Sequence, residues 1–176
     1  MKYGPIEPRW DAECAEIVTS EGAKLQWVNQ LRYLGIYILS SKSFRCCFDE
    51  AKKSFYRAFN AIYGKIGTAA SEEVILSLIK SKCLPCLLYG MEVCPLNKTE
   101  LRSLNFTVTR VLMKIFHTYS MDIIKECQDF FAFSSFEILV KQRTTTFLRK
   151  YCVLNNVLCS MFAIDAQRQL ALVQTL

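Results

Sequence analysis

Gln26-Trp27-Val28-Asn29-Gln30-Leu31-Arg32-Tyr33-Leu34-Gly35-Ile36-Tyr37-Ile38, followed after a short break by Ala51-Lys52-Lys53-Ser54-Phe55-Tyr56-Arg57-Ala58-Phe59-Asn60-Ala61-Ile62, decides the fold. The first block is aromatic and β-branched with period-two alternation, so it reads as strand: Leu34, Ile36 and Ile38 share one face, and Tyr33, Gly35 and Tyr37 the other. A turn at Asn29-Gln30 would join it to a strand over Lys24–Val28, and Glu21-Gly22 would join that to a short Glu16–Thr19 strand. Three short strands need something packed on their apolar face. From Phe44 onward the period lengthens. Phe44, Phe48, Ala51, Phe55, Phe59, Ile62 and Ile66 recur at three- and four-residue intervals, an apolar helical stripe of about six turns, with Lys53, Tyr56, Arg57 and Asn60 opposite.

Helix signals continue outward from this element. Ser71 before Glu72 and Glu73 predicts a helix start, with the helix running to about Cys83, where Pro85 breaks or kinks it. Asn97 with Glu100 is a capping pair for a helix that carries Leu101, Leu104, Phe106, Val108, Val111, Leu112, Ile115 and Phe116. A shorter helix is expected from Met121 to about Phe131, a further one over Ile138–Leu154 after Ser134 and Glu137, and a last over Val157–Val173. The fold class is therefore mainly α: a short antiparallel β meander followed by a bundle of about five to six helices.

The chain has 176 residues, enough for one main core. Its 52% hydrophobic content and mean hydropathy of +0.17 place it on the apolar side, which suggests surface that another domain or chain covers. Lys and Arg number 22 against 16 Asp and Glu, a net charge of +6. The excess concentrates in residues 42–65, where six cations face only Asp49 and Glu50. The start, Met1-Lys2-Tyr3-Gly4-Pro5, has no apolar signal segment, and no run reaches the roughly 18 apolar residues that span a bilayer. An intracellular protein, cytoplasmic or nuclear and not secreted, is expected, without membrane contact. Its nine cysteines then act chiefly as small buried hydrophobes.

Few residues qualify for chemistry. Cys83-Leu84-Pro85-Cys86 has the spacing of a redox pair or half a zinc site, but a zinc site needs a second pair, and no other Cys-x-x-Cys occurs. His117 is the sole histidine and falls near the end of a predicted helix, where the dipole favours it structurally. Asp11, Asp49, Asp122, Asp129 and Asp165 are scattered, and none forms the adjacent pair that two-metal phosphoryl transfer requires. No catalytic or metal-binding residue is expected. What remains is the basic helix face with Tyr56 among its cations, and Arg32, Tyr33 and Tyr37 on the preceding hairpin. Cations that neutralise phosphates beside rings that stack on sugars or bases are the ingredients of sequence-independent nucleic-acid binding.

Gly4-Pro5 through Arg9 and Cys14, then Trp27-Val28-Asn29-Gln30-Leu31-Arg32-Tyr33-Leu34-Gly35-Ile36, Ala51-Lys52-Lys53-Ser54-Phe55-Tyr56-Arg57, Lys80-Ser81-Lys82-Cys83-Leu84-Pro85, Leu88-Tyr89-Gly90 and Cys94-Pro95-Leu96 resemble, in order and spacing, the carboxyl part of jockey-like LINE reverse transcriptases, from non-LTR retrotransposons. The resemblance covers about residues 3–131. It implies that residues 1–40 end a polymerase palm with its hairpin, 41–131 form a thumb-like helical region, and 132–176 are a helical extension. Tyr33, Leu34 and Gly35 match the palm hairpin near the primer terminus, and Lys52, Lys53, Tyr56 and Arg57 match the first thumb helix. The nucleic-acid-binding set is then Arg32, Tyr33, Gly35, Lys52, Lys53, Tyr56 and Arg57, with Gly35 also letting a backbone approach the strand closely.

In that family the reaction is RNA-templated DNA synthesis with Mg²⁺. The fingers and the palm hairpin with its paired aspartates have no counterpart in this sequence. The resemblance thus implies a non-catalytic C-terminal fragment, with no cofactor of its own. Its partners would be a template-primer duplex of RNA and DNA, bound weakly and without sequence preference, and the missing fingers and palm. The alternatives are a helical protein-interaction module and an inert remnant.

Overall fold

The computed structural model describes residues 16–67 and 69–175. The motif residues from Gly4 to Arg9, and Cys14, lie outside them. The chain divides between Cys47 and Phe48 into two compact units.

In the first unit, β1 (Gln30–Tyr33), β2 (Ile36–Leu39) and β3 (Cys46–Cys47) form an antiparallel sheet in the order β1-β2-β3. The β1–β2 turn is Leu34-Gly35, with φ of 46° and 82°. Two consecutive positive φ values are those of a type I′ turn, whose twist matches that of the flanking strands. The turn therefore lies five residues later than the expected Asn29-Gln30, and the single Tyr33–Ile38 strand becomes the close of one strand and the start of the next. This redistributes the faces. Leu31 pairs with Ile38 and Tyr33 with Ile36, while Arg32 pairs with Tyr37. Residues directly opposite share a face, so Tyr33 lies with the aliphatic residues and Arg32 on the other side. Glu16–Thr19 and Lys24–Val28 do not form strands; one bridge, Val18 to Lys24, survives across a turn in which Gly22 has φ of 82°. A lone two-stranded ribbon is marginal in water, which accounts for the loss. Because β3 pairs with β2, residues 41–47 belong to this unit, and the break falls seven residues beyond the expected 40/41.

The second unit is helical. α1 (Asp49–Ile66) starts with Asp49 and Glu50 at the positive end of its dipole and buries Phe55 and Phe59 fully. Phe48 is at its N-cap, whereas Phe44 is exposed and contributes nothing to the stripe. α2 (Glu72–Leu78) does not stop before Pro85. It passes through a π turn, Ile79–Cys83, into α3 (Leu84–Leu88), with Pro85 at the first turn of α3. A proline ring collides with the carbonyl four residues earlier, here that of Ser81, and the wider π turn displaces that carbonyl and keeps the helix direction. Ile79, Cys83, Leu84, Leu87 and Leu88 are buried along it.

α4 (Lys98–Ile115) opens on the predicted capping box: the Asn97 Oδ1 accepts from the Glu100 N–H at 2.7 Å, and Glu100 Oε2 accepts from the Asn97 N–H at 2.9 Å. Leu104, Val108, Val111, Leu112 and Ile115 line its buried face. α5 is Met121–Phe130 and α6 is Phe136–Val153. The cap of α6 is Ser135, whose hydroxyl accepts from Ile138 N–H, one residue after the expected Ser134. The last predicted helix is two, α7 (Val157–Met161) and α8 (Ala163–Thr175), and α8 packs on α6. The described residues thus hold eight α-helices where about five to six were expected, because the Pro85 region and the final segment each subdivide. No described helix is long and apolar enough to cross a membrane.

Two of the described helices end in the left-handed conformation without glycine. After α4, His117 has φ of 50° and the Thr118 N–H reaches Met113 O at 3.2 Å; after α5, Ala132 has φ of 46° and the Phe133 N–H reaches Gln128 O at 2.7 Å. Both bonds are those of a Schellman cap. The Lys80 ammonium then donates to the carbonyls of Phe131 and Ala132, at 3.1 and 3.0 Å, where the α5 dipole is negative.

Two stability predictions follow from this packing. Truncating the wholly buried Phe55 to Ala should cost about 3–5 kcal/mol in urea denaturation, because the ring's transfer energy and a cavity are both lost. Ala132→Gly should raise stability by about 0.5–1 kcal/mol, because glycine adopts positive φ without the Cβ clash; a loss of stability would show that the alanine methyl makes compensating contacts.

Candidate nucleic-acid interface

The expected site residues fall in both units. Arg32 lies over the Tyr37 ring, 5.8 Å from its centroid, a cation–π contact between cross-strand neighbours. Tyr33 is exposed on the opposite face of the hairpin, so the two do not form one surface. Gly35 is the second turn residue, and its positive φ is sufficient reason for a glycine there.

On α1 the basic face is compensated from within. The Lys52 ammonium donates to Asp49 Oδ1 at 3.0 Å and to Ser103 Oγ of α4 at 3.1 Å, which ties two helices together rather than presenting charge outward. Lys53 bonds Glu50 at 2.6 Å, and Arg57 lies 3.9 Å from the same carboxylate. The hydrogen bond from Lys53 holds the Glu50 carboxyl below its ordinary range, and Glu50 in turn raises the Lys53 ammonium. Exposed pairs of this kind are screened by water and held weakly, so both cations can turn toward a phosphate. Each, however, brings with it an acid that repels the same phosphate.

The structure shows a second cluster that sequence reasoning missed. A cleft of about 790 Å³ lies between α1 and the C-terminal half of α4, and among its lining residues are Tyr56, Asn60, Tyr63, Arg110, Lys114, His117 and Tyr119. None of its ten lining residues is an Asp or Glu. Helical periodicity builds it. Tyr56, Asn60 and Tyr63 each follow by one residue the core stripe of Phe55, Phe59 and Ile62, about 100° further round α1. Arg110 and Lys114 each precede by one residue the buried Val111 and Ile115 of α4. Each helix therefore turns the flank of its core stripe into one wall.

Within the cleft the Lys114 ammonium sits 4.9 Å from the Tyr63 centroid and 5.4 Å from that of Phe59, and the Tyr63 hydroxyl donates to Lys114 O at 3.4 Å. Tyr63 and Phe59 stack with centroids 5.2 Å apart. Tyr56, expected on the solvent face, is half-buried and meets Phe55 edge-on at 5.8 Å. His117, read from sequence as structural, is exposed at the left-handed cap and lines the cleft. The legible signal was the four-residue spacing of Arg110 and Lys114, which puts two cations on one face of a helix otherwise conspicuous only for its apolar stripe; His117 joins them from just beyond the helix end.

The cysteine pair is split by its environment. Cys83 is buried within the π turn, and burial pushes its thiol up to about 11, while Cys86 is exposed and its thiol donates to Lys82 O at 3.4 Å. Among the described residues no three His, Cys, Asp or Glu side chains gather as metal ligands would. The described aspartates at 49, 122, 129 and 165 lie on three different helices. No known protein family, curated protein or solved structure matches this chain.

Thiol chemistry follows from the split. In the folded protein at pH 8, iodoacetamide should modify Cys86 well before Cys83, because alkylation needs an accessible thiolate. Peptide mapping that found Cys83 labelled first would contradict the burial of the π turn.

Proposed function

We propose that this chain binds nucleic acid along its sugar–phosphate backbone, as the template-primer-binding, thumb-like part of a non-LTR retrotransposon reverse transcriptase, and that it contributes no catalytic carboxylates. The observation that carries the reading is the acid-free cleft, where Arg110 and Lys114 face tyrosines across the α1–α4 junction. Cations without competing acids release counterions when they meet phosphates, and that release supplies most of sequence-independent affinity. The order and spacing of the motifs around Tyr33-Leu34-Gly35, Lys52-Lys53 and Leu84-Pro85 support the same family. Lys53 and Arg57, exposed beside Glu50, extend the basic surface along α1 as auxiliary contacts.

A second reading, a protein-interaction module, has its own support. Val153, Val157, Leu158, Met161 and Ile164, at the end of α6 and along α7 and α8, are all exposed. Clustered apolar surface of this kind marks contact with another chain. Binding through it would depend little on salt.

Salt therefore separates the two. Binding of a labelled RNA–DNA hybrid, followed by fluorescence anisotropy, should weaken steeply with salt. Changing Arg110 and Lys114 together to Gln should reduce the magnitude of the slope by about one to two units. The same exchange at Lys53 and Arg57 should reduce it by less, since Glu50 already offsets them. No hybrid binding at low salt by a folded sample would remove the nucleic-acid reading and leave the apolar surface as the functional one. A nucleotide-incorporation assay with Mg²⁺ or Mn²⁺ should give no product, for want of paired carboxylates.

A further inference from the structure

We infer that the α1–α4 cleft takes unpaired nucleotides, with Tyr119 as the ring on which a base stacks. This rests on the nucleic-acid reading above and narrows it from a duplex backbone to a single-stranded segment.

The rings in the cleft are not equivalent. Tyr63 has one face against Phe59, 5.2 Å away, and the Lys114 ammonium 4.9 Å from its centroid. Tyr56 is half-buried and engaged with Phe55. Tyr119 is 90% exposed, so its ring faces are open to a planar ligand. An exposed aromatic on a flexible loop would lose much of its stacking energy to ordering, but this loop is fixed at both ends. The Schellman bond from Thr118 N–H to Met113 O closes α4 at 3.2 Å, and the Thr118 hydroxyl accepts from the N–H of Ser120, the α5 N-cap, at 3.2 Å. Tyr119 is the one residue between these anchors, and its backbone is set before any ligand arrives.

The cations complete the site. Arg110 and Lys114 are one helical turn apart, about 6 Å along the axis, on the wall that leads to Tyr119. They can hold phosphates of a strand whose base lies on the ring, the pairing of charge and π-face used by proteins that bind single strands. A duplex offers its backbone to such a site but keeps its bases in its own stack, which leaves the open face of Tyr119 without a partner. The size agrees, since at about 790 Å³ the cleft lies within the roughly 300–1,000 Å³ typical of pockets that enclose a small organic group.

The test compares a fluorescein-labelled oligothymidylate with an RNA–DNA hybrid of equal length, by anisotropy, for the unaltered protein, Tyr119→Ala and Tyr119→Phe. The single strand should bind at least as tightly as the hybrid. Tyr119→Ala should weaken the single strand roughly tenfold, in line with the loss of one base–aromatic stack, and weaken the hybrid by much less. Tyr119→Phe, which keeps the ring, should behave as the unaltered protein. If Tyr119→Ala leaves oligothymidylate affinity unchanged, or weakens both probes equally, the cleft does not receive unpaired bases, and the backbone-binding proposal stands without this one. If neither probe binds, the nucleic-acid reading fails and this inference fails with it.

Discussion

Burial of Phe55 and Phe59 orients every charged side chain of α1 and one wall of the cleft. The two rings lie one turn apart on α1 and are fully enclosed, where α1 packs against α2, the π turn, α3 and α4. Fixing one stripe of a helix fixes every other stripe, at about 100° per residue. Lys53 and Arg57 are thereby directed to solvent, Lys52 toward Ser103 of α4, and Tyr56, Asn60 and Tyr63 into the cleft. A rotation of α1 by one residue would exchange those roles, and the cost of exposing two phenylalanines, several kcal/mol together, forbids it. The cleft is a consequence of the core rather than an addition to it.

Among the described residues, three other than glycine take positive φ: Leu34, His117 and Ala132. The left-handed conformation costs such residues about 1–2 kcal/mol, so each must be held by its surroundings. At Leu34 the hairpin register and the following Gly35 hold it, and at His117 and Ala132 the Schellman bonds do. Lys80 adds a further constraint at Ala132 by bonding the two carbonyls that the end of α5 leaves exposed. The motif Lys80-Ser81-Lys82-Cys83-Leu84-Pro85 thus has structural work at several positions. Its lysine closes α5, its buried Cys83 fills the core, and the π turn admits its proline. At His117 the same economy serves the cleft, because the cap that ends α4 also sets the position of Tyr119.

Mainly helical architecture, a leading antiparallel meander, the capping box at Asn97–Glu100 and the Phe55–Phe59 stripe were legible from residue periods together with cap and turn residues. These are local signals, or sums of them. The hairpin turn was not, because Leu34 is a poor advertisement for a two-residue turn and Asn29 a good one; the pairing energy of four residue pairs decided against local propensity. Continuation of the helix through Pro85 was illegible for a related reason. A proline reads as a stop unless a π turn is anticipated, and only burial of Ile79 and Cys83 on the same side as Leu84 and Leu87 makes that turn worth its poorer hydrogen bonds. The cleft was half legible. Tyr56 was singled out, but the wall formed by α4 depends on which helix packs against α1, a tertiary fact no window of sequence contains.

Charge behaves in the same way. In the densest run of cations, Lys52 and Lys53 lie three residues after Asp49 and Glu50 and pair with them along the helix, and Arg57, two turns after Glu50, lies 3.9 Å from its carboxylate. The acids are there for the helix, since they meet the positive end of its dipole. A basic helix that begins with acids therefore spends part of its charge on its own start. Arg110 and Lys114 lie late in α4, where cations complement the dipole and the single first-turn acid, Glu100, is engaged by the Asn97 N–H and far down the helix. Their charge is thus left for whatever enters the cleft. Position along the helix, more than the count of lysines and arginines, determines which cations of this protein are free to meet an anion.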